Sequence, residues 1–581
     1  MAQKRISPSE KVRHALDRLG QLKNLKQPWL PHWQLLGEYI HTRKQSFTTE
    51  QQEGDFLNRE LFDSGAPKAN KTMASTLIGM LWPPSAKRFE LQAPKAISGR
   101  TEVKKYYETI TEIVRKTLDN DKAGLRSSLD EYMLDQGAFG TSGVEPVEHE
   151  VHDVIYKAWS IKELTIGEGK DGNVDTIYLE LRFPVYRIVQ EYGLDNVSVK
   201  VRELYTSGKL DDKIDLLIAI EPRLDRDISK LGKRDMEFQA LHIDVSQKHL
   251  MKESGYTEIP IKIGRFTKLI GEIYGRSPGM DALPDILEAN AIWESITIAI
   301  EKSLDPPLAV LDDGRLGNSE IDTSAGAINV LTVTGRAGEK PVYPLFTIGD
   351  INPASKLLEQ LESSIADHFF IDRLLDFNNE TAMTLGEVQT RNKMRHSTLG
   401  SIFSRQLKEV FNPVIERTFN ILLKRGKLGY PAGSKQLQEN TDQEPLIIPE
   451  EVVKLMKKGQ DVYQIEYFTP AVRIMQAEES EGIFRAWQFL QALSSTHPMA
   501  TDVLDEDESI KRFTAISGAP TSIIRSDQAI SEIRAERDKQ LKIQQELEQA
   551  KAGSEVMRNA GQSGVLPINN QAQGQKGPVL V

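Results

Sequence analysis

The sequence predicts an α+β fold that is mainly helical. Apolar residues recur at helical spacing over most of its 581 residues, and one region in the N-terminal half alternates at the period of strands. Hydrophobic residues make up 39% of the chain, which is enough for a sizeable buried core. Cysteine is absent, so disulfides, thiolate metal sites and cysteine nucleophiles are excluded. No apolar run approaches the ~20 residues of a membrane helix, and we expect no membrane partner.

The N-terminal half is predicted to be helical first and strand-like afterwards. Its helical stretches, which prolines interrupt or end, are residues 1–40, 68–81 and 100–137. Between residues 144 and 183 the pattern becomes strand-like, and alternation after an Asp171-Gly172 turn predicts a hairpin. Residues 184–265 continue as a mixture of helix and strand.

Two acidic helices follow, joined by a segment that is rich in turn signals. Asp281 to Leu304 has the spacing of a helix about 36 Å long. The run Asp305-Pro306-Pro307 ends it. Residues 308–350 contain several glycine turns around one strand-like run, and a second helix is predicted from about residue 353 to residue 375.

A short polar link leads from the second acidic helix into a longer one. A capping box at Thr384 and Glu387 predicts where this helix begins, and we expect it to reach about residue 424 with a kink at Pro413. Residues 426–470 are mixed, and helices resume at Ala477. The remaining predictions are a highly charged helix over 527–551 and a disordered tail over 552–581.

The acidic residues are concentrated in one part of the chain. Between Asp281 and Asp376 there are 17 acidic and 6 basic residues, so this segment alone carries a net charge of −11, the same as the whole chain. The acids at helical spacing are Asp281, Asp285, Glu288, Glu294 and Glu301 on the first helix and Glu359 and Glu362 on the second. A solvated acidic face explains the pattern. The alternative is a surface that must not bind something negative, and where the segment lies in the molecule decides between the two.

Signals for catalysis or metal binding are weak, and we expect no cofactor and no catalytic residue. The stretch Gly167–Asp171 lacks the spacing and hydroxyl of a phosphate-binding loop. Gly137–Gly143 follows a helix rather than a strand, which favours a turn over a dinucleotide site. His149 and His152 are predicted on opposite faces of a strand. The acidic run 505–508 lacks the spacing of a calcium loop.

Several motifs occur in one characteristic order. The first is Gly271-Glu-Ile-Tyr274-Gly-Arg-Ser-Pro278, followed by Asp305-Pro306-Pro307 and Asp312-Asp-Gly314. These stretches resemble the hallmark of the head-to-tail connecting (portal) proteins of short-tailed bacteriophages. Its matching residues here are Gly271, Tyr274, Gly275, Arg276, Pro278, Asp305, Pro306 and Pro307. Phe139–Gly143 resembles the family's Phe-Gly-Thr-Gly turn with Ser142 inserted, and residues 383–426 and 513–526 resemble its long helix and C-terminal block.

The resemblance implies a fold of wing, two-helix stem, inserted clip and helical crown. It divides this chain into an N-terminal α/β wing (1–270), a first stem helix (271–304), a clip (305–350), a second stem helix (351–375), a tunnel loop (376–383), a long wing helix with the rest of the wing (384–470), a crown (471–551) and a disordered tail (552–581). The tunnel loop would place Asp376, Asn378, Asn379 and Glu380 at the narrowest point of a channel.

The resemblance also implies a function. Members of the family form a ring, commonly of twelve subunits, at one capsid vertex of the virion, and conduct double-stranded DNA during packaging and ejection. The implied partners are the major capsid and scaffolding proteins, the terminase large subunit, and a tail adaptor or tail tube protein. Assembly would take place in the host cytoplasm.

The acidic helices would then line the axial hole. DNA carries about one phosphate charge per 1.7 Å, and repulsion would deny it a deep binding minimum, so that it slides. The apolar stripe with Ile296 and Ile300 would be buried between neighbouring subunits. The alternative function is a phage-encoded metal-dependent hydrolase or nuclease, which would need carboxylates that converge in space.

Overall fold

The structure is a computed structural model that describes most of the chain. The described residues are 7–49, 54–55, 57, 60–84, 88–94, 96–98, 100–226, 232–312, 321–332, 342–345, 352–375, 399–432, 446–494, 504–507, 509–510, 512 and 530–544. They fall into two compact units, 1–478 and 479–581. The predicted capping box at Thr384 and Glu387 and the predicted tail over 552–581 lie outside the described residues.

Helices dominate the described part of the chain, as predicted. They are α1 (Pro8–Lys26), α2 (Leu30–Tyr39), α3 (Gly65–Leu81), α4 (Thr101–Leu118), α5 (Leu125–Phe139), α6 (Val185–Tyr192), α7 (Val199–Thr206), α8 (Pro278–Leu304), α9 (Asn352–His368), α10 (Ile371–Leu375), α11 (399–424), α12 (Glu450–Lys458), α13 (Pro470–Ser494) and α14 (530–544).

The strands form small, separate sheets. They are β1 (Phe89–Gln92), β2 (Thr141–His149), β3 (Asp153–Ser160), β4 (Leu164–Glu168), β5 (Val174–Pro184), β6 (Lys213–Pro222), β7 (Phe238–Asp244), β8 (His249–Tyr256), β9 (Lys262–Arg265), β10 (Leu308–Asp312), β11 (Ile328–Thr332), β12 (Val342–Pro344), β13 (Tyr430–Pro431), β14 (Ile447–Ile448) and β15 (Gln464–Tyr467). Their orders are β4-β5-β6-β7-β8, β3-β2-β9, β11-β10-β12, β1-β15 and β13-β14.

The main core of the first unit lies where α2, α3, α5, α8 and α11 meet the β3-β2-β9 sheet. The five-stranded sheet is covered on one side by the apolar face of α1, through Val12, Leu19 and Leu22. Buried lysines hold this helix at both ends. Lys11 Nζ lies 2.8 Å from carboxylate oxygens of both Asp225 and Glu253.

Two turns form as the sequence predicts. The β4–β5 hairpin turns through Gly172, whose φ of 72° is in the left-handed region that glycine tolerates. The stretch Gly167–Asp171 is therefore part of a hairpin and not a phosphate-binding loop. Likewise α5 ends at Phe139, and Gly140, with φ of 76°, turns the chain into β2.

The second acidic helix is broken, whereas the sequence predicted one helix from 353 to 375. It ends at His368 and α10 begins at Ile371, because Phe370 has a φ of 59°. Both aromatic side chains turn inward there: Phe369 is fully buried, and the ring of Phe370 stacks on Phe266 at 6.3 Å between centroids. A continuous helix would point these adjacent side chains about 100° apart.

The long helix α11 contains a π-helical stretch, Leu407–Phe411, directly before Pro413, where the sequence predicted a kink. Its buried residues recur every fourth position: Leu399, Phe403, Leu407, Phe411, Ile415 and Phe419. In a regular helix with 3.6 residues per turn, each such step drifts about 40° around the axis. The wider π turn offsets part of this drift, and all six side chains are buried.

Candidate functional site

The N-terminal end of α8 is fixed to the rest of the first unit by the motif around residues 271–278. Ser277 caps the helix, accepting a hydrogen bond from the Met280 N–H at 3.0 Å, and its hydroxyl donates to the Ala138 carbonyl at 2.8 Å. Pro278 occupies the first turn, so α8 begins three residues before the predicted Asp281. A serine cap followed by proline was the sequence signal for this earlier start.

Two separately recognised motifs meet at this point. A Cβ on Gly275 would lie 2.4 Å from the Gly140 carbonyl oxygen, and a Cβ on Gly140 would lie 2.4 Å from the Gly275 carbonyl oxygen. The Gly275 N–H donates to Thr141 Oγ1 at 2.7 Å. The two backbones are therefore in direct contact, and both positions need glycine.

The side chains of Tyr274 and Arg276 extend this anchor to the N-terminal helices. Tyr274 is buried, its ring edge-on to Trp33 at 5.2 Å, and burial raises the pKa of its hydroxyl. The Arg276 guanidinium lies over the Trp29 ring and pairs with Glu272 at 2.6 Å, which lowers the pKa of that carboxyl. These motif residues hold structure together and present no reactive group.

The other end of α8 is closed by the second motif. Asp305 caps it through an N–H bond to the Glu301 carbonyl at 3.0 Å, and its own carbonyl accepts the Gly326 N–H at 2.8 Å. Pro306 and Pro307 then lead the chain directly into β10, and the Pro307 carbonyl accepts the Leu345 N–H at 2.8 Å. Asp305-Pro306-Pro307 thus joins the helix to the β11-β10-β12 sheet.

The helices α8 and α9 form an antiparallel pair, which we call the acidic hairpin. Its buried apolar side chains include Leu283, Ile286, Ala289 and Ile296 on α8 and Leu358, Leu361 and Ile365 on α9. Asn290 ties the pair to the first unit, because its Oδ1 accepts the N–H groups of Phe62 and Asp63 at 2.8 and 3.1 Å.

Six of the seven predicted acidic lining residues are exposed: Asp281, Glu288, Glu294, Glu301, Glu359 and Glu362. The exception is Asp285, which turns toward α9, accepts a hydrogen bond from the Ser364 hydroxyl at 2.6 Å and lies 3.7 Å from His368 Nε2. Asp285 thus holds the two helices together.

The exposed acids of α8 fall on two lines. At 100° per residue, Asp281 and Glu288 lie together, whereas Glu294 and Glu301 lie about 140° away around the helix axis. If α8 runs straight beside the axis of a channel, only one of these two lines can face that axis. These acids were predicted together as candidates for a channel lining, and their division into two lines follows from their spacing in the sequence.

The predicted tunnel-loop residues Asp376, Asn378, Asn379 and Glu380 lie outside the described residues. The described helix α10 ends at Leu375, immediately before them.

One of the two isoleucines predicted for a subunit contact is not available for it: Ile296 is buried within its own protomer, at 8% exposure, whereas Ile300 is 45% exposed. Leu287 and Ile298 were not predicted for this contact. They are 36% and 43% exposed and lie on the same side of α8, away from its buried face. Their separation of eleven residues, three helical turns, was the available signal.

The histidine prediction was also wrong. His149 and His152 do not point to opposite faces; their rings stack at 5.1 Å with an interplanar angle of 8°. A tight turn between β2 and β3 separates them, so strand alternation does not apply. His149 Nδ1 accepts the Val151 and His152 N–H groups at 3.3 and 3.2 Å, which occupies its lone pair.

No metal site is assembled within the described part of the chain, where no three His, Asp or Glu side chains come together to hold an ion. In the acidic run at 505–508, Asp507 pairs with Arg534 of α14 through two contacts of 2.6 Å. Among the described helices, none combines the length and the apolar character that crossing a bilayer requires.

Comparison with known families agrees with the motif analysis. Residues 12–524 match the family described as bacteriophage head to tail connecting protein. The chain belongs to this family. A head-to-tail connecting protein joins the head of a phage particle to its tail and is a structural component of the virion. The match gives no support to the hydrolase alternative.

Two curated relatives match the connecting protein over nearly its whole length. The portal protein of Salmonella phage epsilon15 is 25% identical over 95% of each chain. The probable portal protein of Bordetella phage BPP-1 is 24% identical over 94% of each chain. A chain of the virion of a native gene transfer agent particle covers 66% of this chain and 91% of its own length. With 12% identity and a TM-score of 0.27, that similarity carries no argument.

Proposed function

We propose that this connecting protein is a phage portal, a ring of subunits through which double-stranded DNA enters and leaves the capsid. The observation that carries the proposal is the acidic hairpin: a helix of 27 residues, anchored at one end, with carboxylates and apolar side chains exposed on the same element. The two relatives named as portal proteins support it.

Ring formation explains the exposed apolar side chains. Leu287 and Ile298 lie on a helix that already has a buried face of its own, so a second apolar strip needs a second partner. A heterologous contact between identical subunits repeats around an axis and closes as a ring with a central hole. Twelve subunits is the expected number from the family resemblance.

The charge of the hairpin suits the wall of that hole. Over its length of about 40 Å, α8 would run beside roughly two dozen phosphate charges of a duplex. Like charge on the wall leaves DNA without a strong binding site, so it can move in either direction. We propose that one of the two acidic lines of α8 faces the axis, together with Glu359 and Glu362, and that residues 376–380 form the narrowest part.

The remaining partners follow from the portal role. We propose that the ring assembles in the host cytoplasm with the major capsid and scaffolding proteins, then receives the terminase large subunit, and later a tail adaptor or tail tube protein. The connecting protein itself contributes no catalysis and no cofactor in this scheme.

Mass photometry of the purified chain tests ring formation. We expect closed rings for the parent and monomers or small oligomers for Leu287→Asp combined with Ile298→Asp, because charges would be buried at each contact. The matched control is Leu269→Asp, which alters a similarly exposed leucine outside the hairpin and should leave rings intact. Compact monomers of the parent with divalent-dependent nuclease activity would support the hydrolase alternative instead.

A further inference from the structure

The β11-β10-β12 sheet has one face that is apolar and only partly covered within the described residues: Leu308, Val310 and Val330 are half-buried. The strand registers place Leu308, Val310, Ile328, Val330, Val342 and Pro344 on this face. Ile328 is 63% exposed and Val342 is 46% exposed. On the opposite face, by contrast, Ala309 and Asn329 are fully buried, and Asn329 exchanges hydrogen bonds of 2.7 Å with the backbone of Asp322.

The sheet also has two different open edges among the described strands. The central strand β10 pairs with β11 on one side, in parallel, and with β12 on the other, antiparallel. Strands of five, five and three residues make a small sheet. An exposed apolar face on so small a sheet is typical of an interaction surface, and unpaired edges invite another strand.

The main core of the same chain is too far away to supply that cover. The sheet begins directly after α8, at the opposite end from the Ser277 anchor, and α8 is about 40 Å long. In a ring, the nearest chain at the same height is the same sheet of the next subunit. A second copy is therefore the occupant that the position of the sheet favours.

We propose that β12 of one subunit pairs with β11 of the next, so that the small sheets join into a continuous belt around the ring. The strand directions permit this, because β12 runs opposite to β11 and an antiparallel pair would form at each junction. Two unlike edges meet, which is the heterologous contact that a closed ring requires. The inference rests on the proposed ring and adds which strands join its subunits.

The absence of cysteine makes cross-linking a direct test. One full-length variant combines Val342→Cys on β12 with Ile328→Cys on β11, and another combines Val342→Cys with Val330→Cys. Ile328 and Val330 lie on the same face of β11, so the two variants test two possible registers of the pairing between β12 and the neighbour's β11. Within one subunit β10 separates these strands by about 9.6 Å. That exceeds the Cα separation of about 7 Å that a disulfide spans. Any disulfide must therefore join different subunits.

On mild oxidation we expect at least one of the two variants to give a ladder of covalent multimers on a non-reducing gel, which reductant collapses to monomer. The single-cysteine variants should give no ladder. Neither should a control variant with Leu269→Cys and Val342→Cys, two positions whose side chains are 47% and 46% exposed in the parent. Rings by mass photometry without a ladder from either variant would overturn the strand pairing and leave the portal proposal standing. Absence of rings in the parent would remove both.

Discussion

Replacing Gly275 by alanine tests whether the motif at residues 271–278 is the anchor of the acidic hairpin. The added Cβ would lie 2.4 Å from the Gly140 carbonyl oxygen and 2.9 Å from Arg265 Cβ. Neither atom belongs to the flexible end of a side chain, so the backbone itself must move. Overpacking of this kind costs typically about 1–3 kcal/mol, and we expect the upper part of that range.

The assay is thermal unfolding followed by circular dichroism, with hydrogen exchange of the first turns of α8 as a second readout. We expect a lower Tm and faster exchange at residues 278–283 in Gly275→Ala. The matched control is Gly20→Ala in the exposed face of α1, where a Cβ meets nothing within 4 Å. Because alanine favours helix over glycine, that variant should be stabilised by up to about 1 kcal/mol.

The double variant Gly140→Ala, Gly275→Ala tests whether the two glycines act through the same contact. Gly140→Ala should also destabilise, since Gly140 has a φ of 76° and a Cβ there meets the Gly275 carbonyl oxygen. Either substitution pushes the same two backbones apart, so the double variant should lose less than the sum of the single losses. Strictly additive losses, or a Gly275→Ala protein as stable as the parent with unchanged exchange, would refute the assignment of this contact as the anchor.

Three further predictions concern titration, the channel and the histidine pair. His242 is buried against Tyr192, and burial followed by the charge of Lys252 lowers its pKa to about 4. The unfolded chain therefore binds a proton near pH 6.5 that folded His242 binds only near pH 4. The contribution of His242 to stability should fall by about 3 kcal/mol between pH 6.5 and pH 4, and His242→Gln should flatten the pH dependence in denaturant titrations by that amount. Asn378→Lys with Asn379→Lys should slow DNA packaging at low salt, with partial recovery at higher salt and normal rings; parental packaging rates at every salt concentration would reject the tunnel-loop placement. His149→Ala with His152→Ala should leave rings and packaging intact, and loss of packaging in folded rings would point to an overlooked site.

Local signals in the sequence predicted several of the regular elements, although the helix expected from Ala477 begins at Pro470 and residues 308–350 contain three strands where one was expected. The alternation after Asp171-Gly172 gave the β4–β5 hairpin, and the proline run after Leu304 located the end of α8. The start of α8 lies three residues before the predicted one, because the Ser277-Pro278 cap begins the helix before its acidic and apolar spacing does. The motif residues were found from the sequence, but their close contact with Gly140 depends on residues 135 positions apart and needed the structure.

Irregular elements were predicted less well because their causes are tertiary. Phe370 leaves the helical region to pack on Phe266, a residue far away in the sequence. The π turn in α11 had a local signal, the four-residue spacing from Leu399 to Phe419, whereas the kink was predicted from Pro413. For the acidic residues, composition predicted the concentration of charge between residues 281 and 376. Only the packing of α8 on α9 showed that Asp285 bonds the two helices together and is not an exposed residue.

The most direct test of the account is cryo-electron microscopy of the purified full-length protein with a duplex DNA fragment added. We expect a closed ring whose central hole is walled by α8 and α9, with carboxylates facing the hole and no DNA bound at a fixed position. A ring that carries the acidic hairpin on its outer rim, or a hole walled by basic side chains that hold the duplex in place, would contradict it.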